Sequence, residues 1–325
     1  MPEDKTVSSK SFSFSVVVYL ICQLCWFGSI FLTIAGWLGK YHWGLDVLVH
    51  VTPQVLVIQL LLLGFFIAWK EWKLLIPGVV CLLWNAYLVV PYYLPQPTAP
   101  VLAQVKLLQL NVLTANQNYQ KTIQYIEAKS PDLIALQEID QKWVNQLAPV
   151  MEKYPHKLVI PREDNFGIAL LSRLPMESSQ SVVFTPAGLP SIVADVVFPQ
   201  DARVSVLVTH PLPPIERGFK QRNLQFAQIA FSRNKFGKNL LVVGDLNVTP
   251  WSVYFRELLS DLALRDSQLG FGVQPSWPTV KGALLERVAI DHVLVSDNFV
   301  VLKRELGPNV GSDHLPVYVE LGLKK

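Results

Sequence analysis

The sequence predicts an α/β domain of two packed sheets flanked by helices, preceded by three transmembrane helices. Three observations carry that prediction. Long uncharged apolar runs occupy the first third of the chain, and eleven strand-like runs with four helical patterns occupy the rest. The charge is divided accordingly: residues 11–105 hold only Lys40, Asp46, Lys70, Glu71 and Lys73, whereas residues 106–325 hold 44 charged side chains in 220 positions. The second figure is close to the soluble-domain level of about 25%. An overall composition of 51% hydrophobic and 16% charged residues excludes a disordered, collagen-like or disulfide-scaffold chain.

Ser11–Gly39 lacks any Asp, Glu, Lys or Arg; a second such run spans Val47–Trp69, and a third stays apolar from Leu74 to Leu94. Each exceeds the ~20 residues a helix needs to cross ~30 Å of hydrocarbon. Buried soluble helices average about 11–12 residues, so three such runs in succession argue against that alternative. We therefore expect a membrane domain over 1–94 with spans near 16–38, 47–69 and 74–94. A cleaved signal peptide is disfavoured for the first run, whose apolar stretch is too long and lacks an A-x-A-like site. Trp37, Tyr41, Trp43, Trp69, Trp72, Tyr92 and Tyr93 lie near the expected ends, where interfacial aromatic residues belong. Asn85 and the prolines at 53, 77 and 91 read as kinks and helix–helix contacts rather than an intramembrane site.

Lys5 and Lys10 precede the first span, Lys70 and Lys73 occupy the second loop, and Lys40 alone occupies the first. The excess of basic residues puts the N-terminus and second loop in the cytoplasm, and three spans then deliver the remainder to the extracytoplasmic side. The expected location is thus a multi-pass protein of the cell membrane. Cys22, Cys25 and Cys81 all fall within spans, so the soluble portion has neither a disulfide framework nor a thiolate.

Pro95, Pro97 and Pro100 mark a stiff linker over 95–104, and a catalytic domain is expected over 105–325. Strand-like runs fall at 105–112, 132–139, 157–160, 167–172, 181–184, 192–198, 204–209, 240–243, 288–296, 300–306 and 315–321. Helical patterns fall at 119–129, 141–152, 218–233 and 252–261. Many hairpin-length spacings favour two sheets in one domain, and about 220 residues can bury one substantial core.

Polar clusters interrupt these runs where strands end: Leu-Gln-Leu-Asn111, Leu-Gln-Glu138, Thr-His210, Gly-Asp245-Leu-Asn247, Ile-Asp291-His292 and Ser-Asp313-His314. Each alone is ordinary turn chemistry. Six together, all oxygen or imidazole donors at strand ends, converge at a sheet rim, the usual place for a site in layered α/β folds. Asp245 and Asn247 are two apart, so an extended chain would put both on one face. His292 follows Asp291 on a strand and should point away as a structural residue. The membrane third is expected to localise the chemistry without supplying any of it.

In order and spacing, these clusters resemble the endonuclease/exonuclease/phosphatase superfamily, which includes DNase I-like nucleases, inositol polyphosphate phosphatases and neutral sphingomyelinases. The likeness covers residues 104–322 and points to the membrane-anchored bacterial branch. It implies a four-layer α/β sandwich of two mixed sheets and a metal-dependent phosphoester hydrolase. Glu138 is a hard oxygen ligand suited to Mg²⁺, with Mn²⁺ an alternative, and Asp313 is a second candidate ligand. One ion or two is left open. Asn111 corresponds to the family asparagine beside metal and phosphate. Asp245 would orient or deprotonate the attacking water, and Asn247 would hold a phosphoryl oxygen. His314 would donate to the phosphoryl group or move a proton, with Asp291 fixing its tautomer. His210 matches a histidine near the leaving oxygen, and Asn165 resembles a substrate-side residue. Trp277 either lines the cleft or packs.

Residues 95–325 carry 23 basic against 21 acidic side chains, a weak balance for a nucleic-acid groove. The local cluster Arg217, Lys220, Arg222, Arg233, Lys235 and Lys238 reads as a solvated helix face, or else as a surface for anionic headgroups or a phosphate backbone. Tethering raises effective concentration against lipid-linked substrates. The bilayer and a phosphorylated lipid or lipid-linked substrate are therefore the expected partners, and no obligate protein partner is indicated. A membrane-tethered nuclease on DNA or RNA is the alternative, followed by a non-catalytic member that binds a phosphorylated ligand.

Overall fold

The structure, a computed structural model, describes residues 14–280 and 285–325. Lys5 and Lys10 of the orientation count lie outside the described residues. Helix α1 spans Phe14–Trp37. After a short loop, α2 (Trp43–Leu48) runs through a 3₁₀ turn at Val49–Val51 into α3 (Thr52–Ala68). Helix α4 (Trp72–Val89) is followed by a 3₁₀ turn at Val90–Tyr93. Phe14–Trp37, Trp43–Ala68 and Trp72–Tyr93 are long and apolar enough to cross a membrane, with mean hydropathies of 2.0, 2.1 and 2.0.

Their mutual packing satisfies the polar side chains they carry. Asn85 Nδ2 donates to Thr33 Oγ1 (2.9 Å) and to Gln59 Oε1 (3.0 Å), while Gln59 Nε2 donates to Thr33 Oγ1 (3.3 Å). Each spanning segment contributes one group, so the cluster fixes how the three helices are rotated against one another. At Gly78 a Cβ would lie 1.8 Å from the Trp26 indole, whose Nε1 donates to the Leu74 carbonyl at 2.8 Å. Only glycine permits that approach.

Among the described residues, twelve strands form two six-stranded sheets, with helices on both outer faces. The first sheet contains β1 (Val101–Asn111), β2 (Leu133–Gln137), β3 (His156–Ile160), β4 (Ile168–Ser172), β11 (Phe299–Leu306) and β12 (Val317–Lys324), in the order β11-β12-β1-β2-β4-β3. The second contains β5 (Met176–Val183), β6 (Pro190–Phe198), β7 (Ala202–Thr209), β8 (Leu240–Asp245), β9 (Leu264–Asp266) and β10 (Asp291–Ser296), in the order β5-β6-β7-β8-β10-β9. Each sheet is mixed: β1–β2 and β7–β8 are parallel and the other pairs antiparallel.

Leu107, Leu133, Leu170, Val206, Val243 and Val319 pack between the sheets. The outer face of the first sheet is covered by α5 (Tyr119–Lys129), α6 (Gln141–Gln146) and α7 (Ala148–Met151), through Ile126, Trp143 and Val150. The second is covered by α8 (Arg217–Phe231) and α9 (Val253–Leu262), through Phe226, Ile229 and Phe255. Strands buried on both faces explain the near-continuous apolar runs in the sequence.

The differences from expectation are local. Strand β9 has three residues, too few for alternation to register. The helix expected over 141–152 breaks at Leu147, one residue before Ala148-Pro149 restarts the turn. The linker is shorter than expected, because Val101 already pairs with Lys324 on β12.

The three apolar helices do not hang from a flexible tether. Val49, Leu56, Leu82, Leu88 and Tyr92 pack with Trp251 of the sandwich in one apolar cluster. The Tyr92 carbonyl accepts from the backbone N–H groups of Gly270 (3.1 Å) and Gly272 (2.7 Å). Lys40 forms an ion pair with Glu257. The first loop and the end of the third apolar helix thus both contact the one catalytic domain.

Candidate active site

The nine residues singled out in the sequence come together at one rim of the sandwich. Glu138, Asn165, His210, Asp245, Asn247, Asp313 and His314 line a cavity of about 460 Å³. Asn111 and Asp291 lie beneath it, joined to those residues by hydrogen bonds. Strand ends explain the convergence. β1 ends at Asn111, β2 just before Glu138, β7 just before His210 and β8 at Asp245, while β10 begins at Asp291. Asp291 is paired directly across from Asp245 in the β8–β10 ladder. Gly244, at φ +152, lets β8 close on β7, since a Cβ there would stand 2.0 Å from the Thr209 carbonyl oxygen.

Glu138, Asn165 and Asn247 adopt left-handed backbone angles, with φ of 60°, 65° and 51°. Such conformations are disfavoured outside glycine and concentrate where side chains must be aimed. Asn247 corrects one expectation. It shares a cavity with Asp245 because the chain turns after β8, and its N–H donates to Asp245 Oδ1 at 3.0 Å. The chain there is not extended.

Asn111 sits at the centre. Its amide Nδ2 donates to Glu138 Oε1 (2.8 Å) and Asp245 Oδ2 (3.2 Å), and lies 3.4 Å from His314 Nε2. His314 Nδ1 donates to Asp291 Oδ2 at 2.8 Å. Asp291 also accepts from Ser276 Oγ (2.5 Å) and Gln109 Nε2 (2.7 Å). Burial disfavours charge on Asp291, but His314 and these donors outweigh it and hold its carboxyl below the ordinary aspartate range. Burial also works against a charged His314, yet Asp291 and Asp245 outweigh it and lift the imidazole to about 10. The pair is therefore an aspartate and an imidazolium, with Nε2 carrying a proton toward Asp245 Oδ2 at 3.5 Å.

Burial raises Asp245 and Glu138 above the usual carboxylate range, partly opposed by the neighbouring histidines. His210 Nδ1 donates to the Asp245 carbonyl oxygen (3.1 Å), which fixes its tautomer and leaves Nε2 3.8 Å from Glu138 Oε1. Phe166 packs on the His210 ring at 5.2 Å between centroids. Trp277 lines the cavity, and its Nε1 donates to Asp313 Oδ2 at 3.1 Å. His292 turns away as expected: Nε2 donates to the Val248 carbonyl (2.8 Å) and the ring packs on Phe255.

Two groups of residues offer atoms to a cation. Asp245, Asp291 and His314 place one ligand atom each within 4.8 Å of one another. Asp291 in that set is saturated by the three donors just described. Glu138 Oε2 and Asp313 Oδ1 are buried and have no hydrogen-bond partner among the described residues. A buried carboxylate oxygen without a donor is costly, and oxygens of this kind are the ligands a hard cation such as Mg²⁺ or Mn²⁺ takes. The donor set thus fits a divalent ion.

Several lining residues were not singled out beforehand. Gln109 and Ser276 hold Asp291 and were concealed as ordinary strand and loop residues. Trp43, Val47 and His50 line the same cavity from the N-terminal apolar segment, so that segment contributes to the site, contrary to the expectation from sequence. The expected basic face also changes. Arg222 is fully buried, and its Nη2 meets Asp46 Oδ2 at 2.7 Å while Nη1 donates to the Asn247 carbonyl at 2.9 Å. No Lys or Arg lines the cavity among the described residues.

A comparison with curated protein sequences gives no match. Among solved structures, zebrafish (D. rerio) TDP2 complexed with single-strand DNA product shares 16% identity, with a TM-score of 0.58, over 67% of this chain and 99% of that one. An endonuclease/exonuclease/phosphatase from Bacteroides vulgatus matches at 15% identity and TM-score 0.58, over 68% and 100% of the two chains. The human Nocturnin catalytic domain with bound sulfate matches at 18% identity and TM-score 0.55, over 70% and 97%. These likenesses establish the four-layer sandwich. The Endonuclease/Exonuclease/phosphatase family model matches residues 108–314, from β1 through His314, and the chain belongs to that family of hydrolases acting on ester bonds.

Proposed function

We propose that the chain is a membrane-anchored, divalent-metal-dependent phosphoester hydrolase whose substrate is a lipid or lipid-linked phosphodiester or pyrophosphate, cleaved at the extracytoplasmic face. One observation carries the choice of substrate. The acid, amide and imidazole groups open into a cavity walled by apolar side chains, with no Lys or Arg among the described lining residues. A nucleic-acid site draws its affinity from cations along the phosphate backbone.

Asp245, raised by burial, accepts a proton from the attacking water. The water oxygen bonds to phosphorus as the P–O bond to the leaving group breaks in line, with no covalent enzyme intermediate. His314 Nε2 donates to a phosphoryl oxygen, steadied by Asp291 through Nδ1. Asn111 and Asn247 hold the phosphoryl group, with Asn165 on the substrate side. His210, held through Nδ1 by the Asp245 carbonyl, presents Nε2 to the leaving oxygen, which takes up a proton as the P–O bond breaks. Glu138 and Asp313 would hold a divalent ion, which would supply charge neutralisation to the phosphoryl group.

The orientation rests on the lysine count, and reporter fusions at residue 96 and in the second loop test it. The alternative, a tethered nuclease, has in its favour the single-strand DNA complex of the zebrafish neighbour. The deciding experiment gives the full-length protein, with Mg²⁺ or Mn²⁺, a panel of plasmid DNA, RNA, sphingomyelin, phosphoinositides and polyprenyl pyrophosphate. Lipid or lipid-linked turnover is expected. Efficient plasmid nicking without lipid turnover would overturn the substrate assignment. Tight phospholigand binding without any turnover would favour a non-catalytic role.

A further inference from the structure

We infer that the membrane segment supplies one wall of the substrate cavity, and that this wall, built on Trp43 and Val47, receives the apolar portion of an amphiphilic phosphoester. The inference deepens the proposed function and rests on its reading of the polar floor as a phosphoester site.

Trp43, Val47 and His50 are spaced i, i+4, i+7, which puts them on one face of α2 and the turn that follows. That face borders the cavity whose floor holds Asp245 and His314. Polar contacts to the sandwich lock it there. Asp46, on the same stretch, accepts from Arg222 Nη2 and from Ser252 Oγ, both at 2.7 Å. His50 Nδ1 shares a 2.8 Å hydrogen bond with Thr249 Oγ1. Arg222 and Asp46 are 0% and 1% exposed, so the wall is as fixed as the sandwich itself.

The occupant follows from continuity. Helix α2 passes through Val49–Val51 directly into the spanning helix α3. An apolar chain leaving the bilayer beside α3 therefore meets Val47 and Trp43 on the stretch that leads into that helix. Phe166, Pro214 and Ile215 line the same cavity, and Ile215 is 56% exposed, an apolar lip with no polar side chain. Phosphate at the floor and hydrocarbon against an apolar lining is the shape of an amphiphile. A volume of about 460 Å³ holds a headgroup and the first carbons of its chain, leaving the remainder in lipid.

The test reads binding, so it does not depend on turnover. Full-length protein in nanodiscs is titrated calorimetrically with n-alkylphosphonates from butyl to decyl, with empty nanodiscs subtracted. In the wild type, Kd should fall about three- to fourfold for each methylene that enters the cavity, then level off. Trp43→Ala should reduce that dependence to less than half its logarithmic slope. Val47→Thr, which preserves shape while adding a hydroxyl, should weaken it in the same direction, and Tyr41→Ala on the neighbouring loop should leave it unchanged. A Kd independent of chain length, or equal slopes in wild type, Trp43→Ala and Val47→Thr, would overturn the inference even if lipids are hydrolysed. A steep, Trp43-dependent slope with no lipid turnover in the substrate panel would retain the wall and remove the proposed reaction.

Discussion

Replacing Asp46 with alanine should loosen the catalytic domain from the N-terminal apolar helices. The Asp46 carboxylate is buried between Arg222 and Ser252, each 2.7 Å away. Burial alone would lower Arg222 from its usual value, and the Asp46 charge is what opposes that shift. Two unit charges roughly 4 Å apart attract by about 4 kcal/mol at an effective dielectric of about 20. That agrees with the roughly 3–5 kcal/mol observed when one member of a buried pair is removed. For a domain of this size, about 4 kcal/mol corresponds to a fall in Tm of roughly 8–16 °C. Scanning fluorimetry of the full-length protein in detergent reads this directly. The double variant Asp46→Ala/Arg222→Met should recover more than half of the loss, because an apolar pair no longer strands a charge. A fall of less than about 2 °C, or a double variant worse than the sum of the singles, would refute the reasoning.

Three further outcomes are expected. Asp291→Asn should keep the fold but reduce turnover by about 10²–10⁴-fold, because His314 loses the charged acceptor that orients it and favours its protonated form; a variant within tenfold of wild type would remove Asp291 from its role. His292→Gln should lower Tm while leaving kcat per folded molecule unchanged, since His292 bonds the Val248 carbonyl outside the cavity; a large kcat loss at full folding would contradict that placement. In metal-free protein, His314 is raised from 6.5 to about 10, so its contribution to stability is complete below pH 6.5 and is lost as pH rises through 10. Asp291 is lowered, so its contribution is present above 3.8 and is lost on acidification. A Tm-versus-pH profile should therefore decline on the alkaline side, and His314→Asn should flatten that limb; an unchanged limb would show that the pair does not carry it.

The sheets were legible because their strands are buried on both faces and read as unbroken apolar runs ending in polar residues. The same pattern marked the site: Asn111, Glu138, Asp245 and Asp291 each stand where a strand starts or stops. The clusters could be found from sequence because they share a rim, although Asn247 reaches it through a turn that spacing alone did not reveal. The share of the membrane segment was not legible. Asp46 looks like a stray charge in a loop and Arg222 like part of a solvated basic face, since nothing in either neighbourhood announces a partner 176 positions away. His50 and Trp43 sit in apolar sequence, where a lining residue and an interfacial one look alike.

Assembly also follows from the way Asp46 and Arg222 meet. Asp46 lies at the start of the apolar segment Trp43–Ala68 and is synthesised long before Arg222, so it must wait in a half-built molecule until α8 is made and the sandwich closes on it. Exchanging residues 1–94 for another three-helix anchor would bring Arg222 to its buried position with no acid to receive it. The two parts of the chain are thus matched components rather than interchangeable modules, and a graft would succeed only by carrying both residues across together.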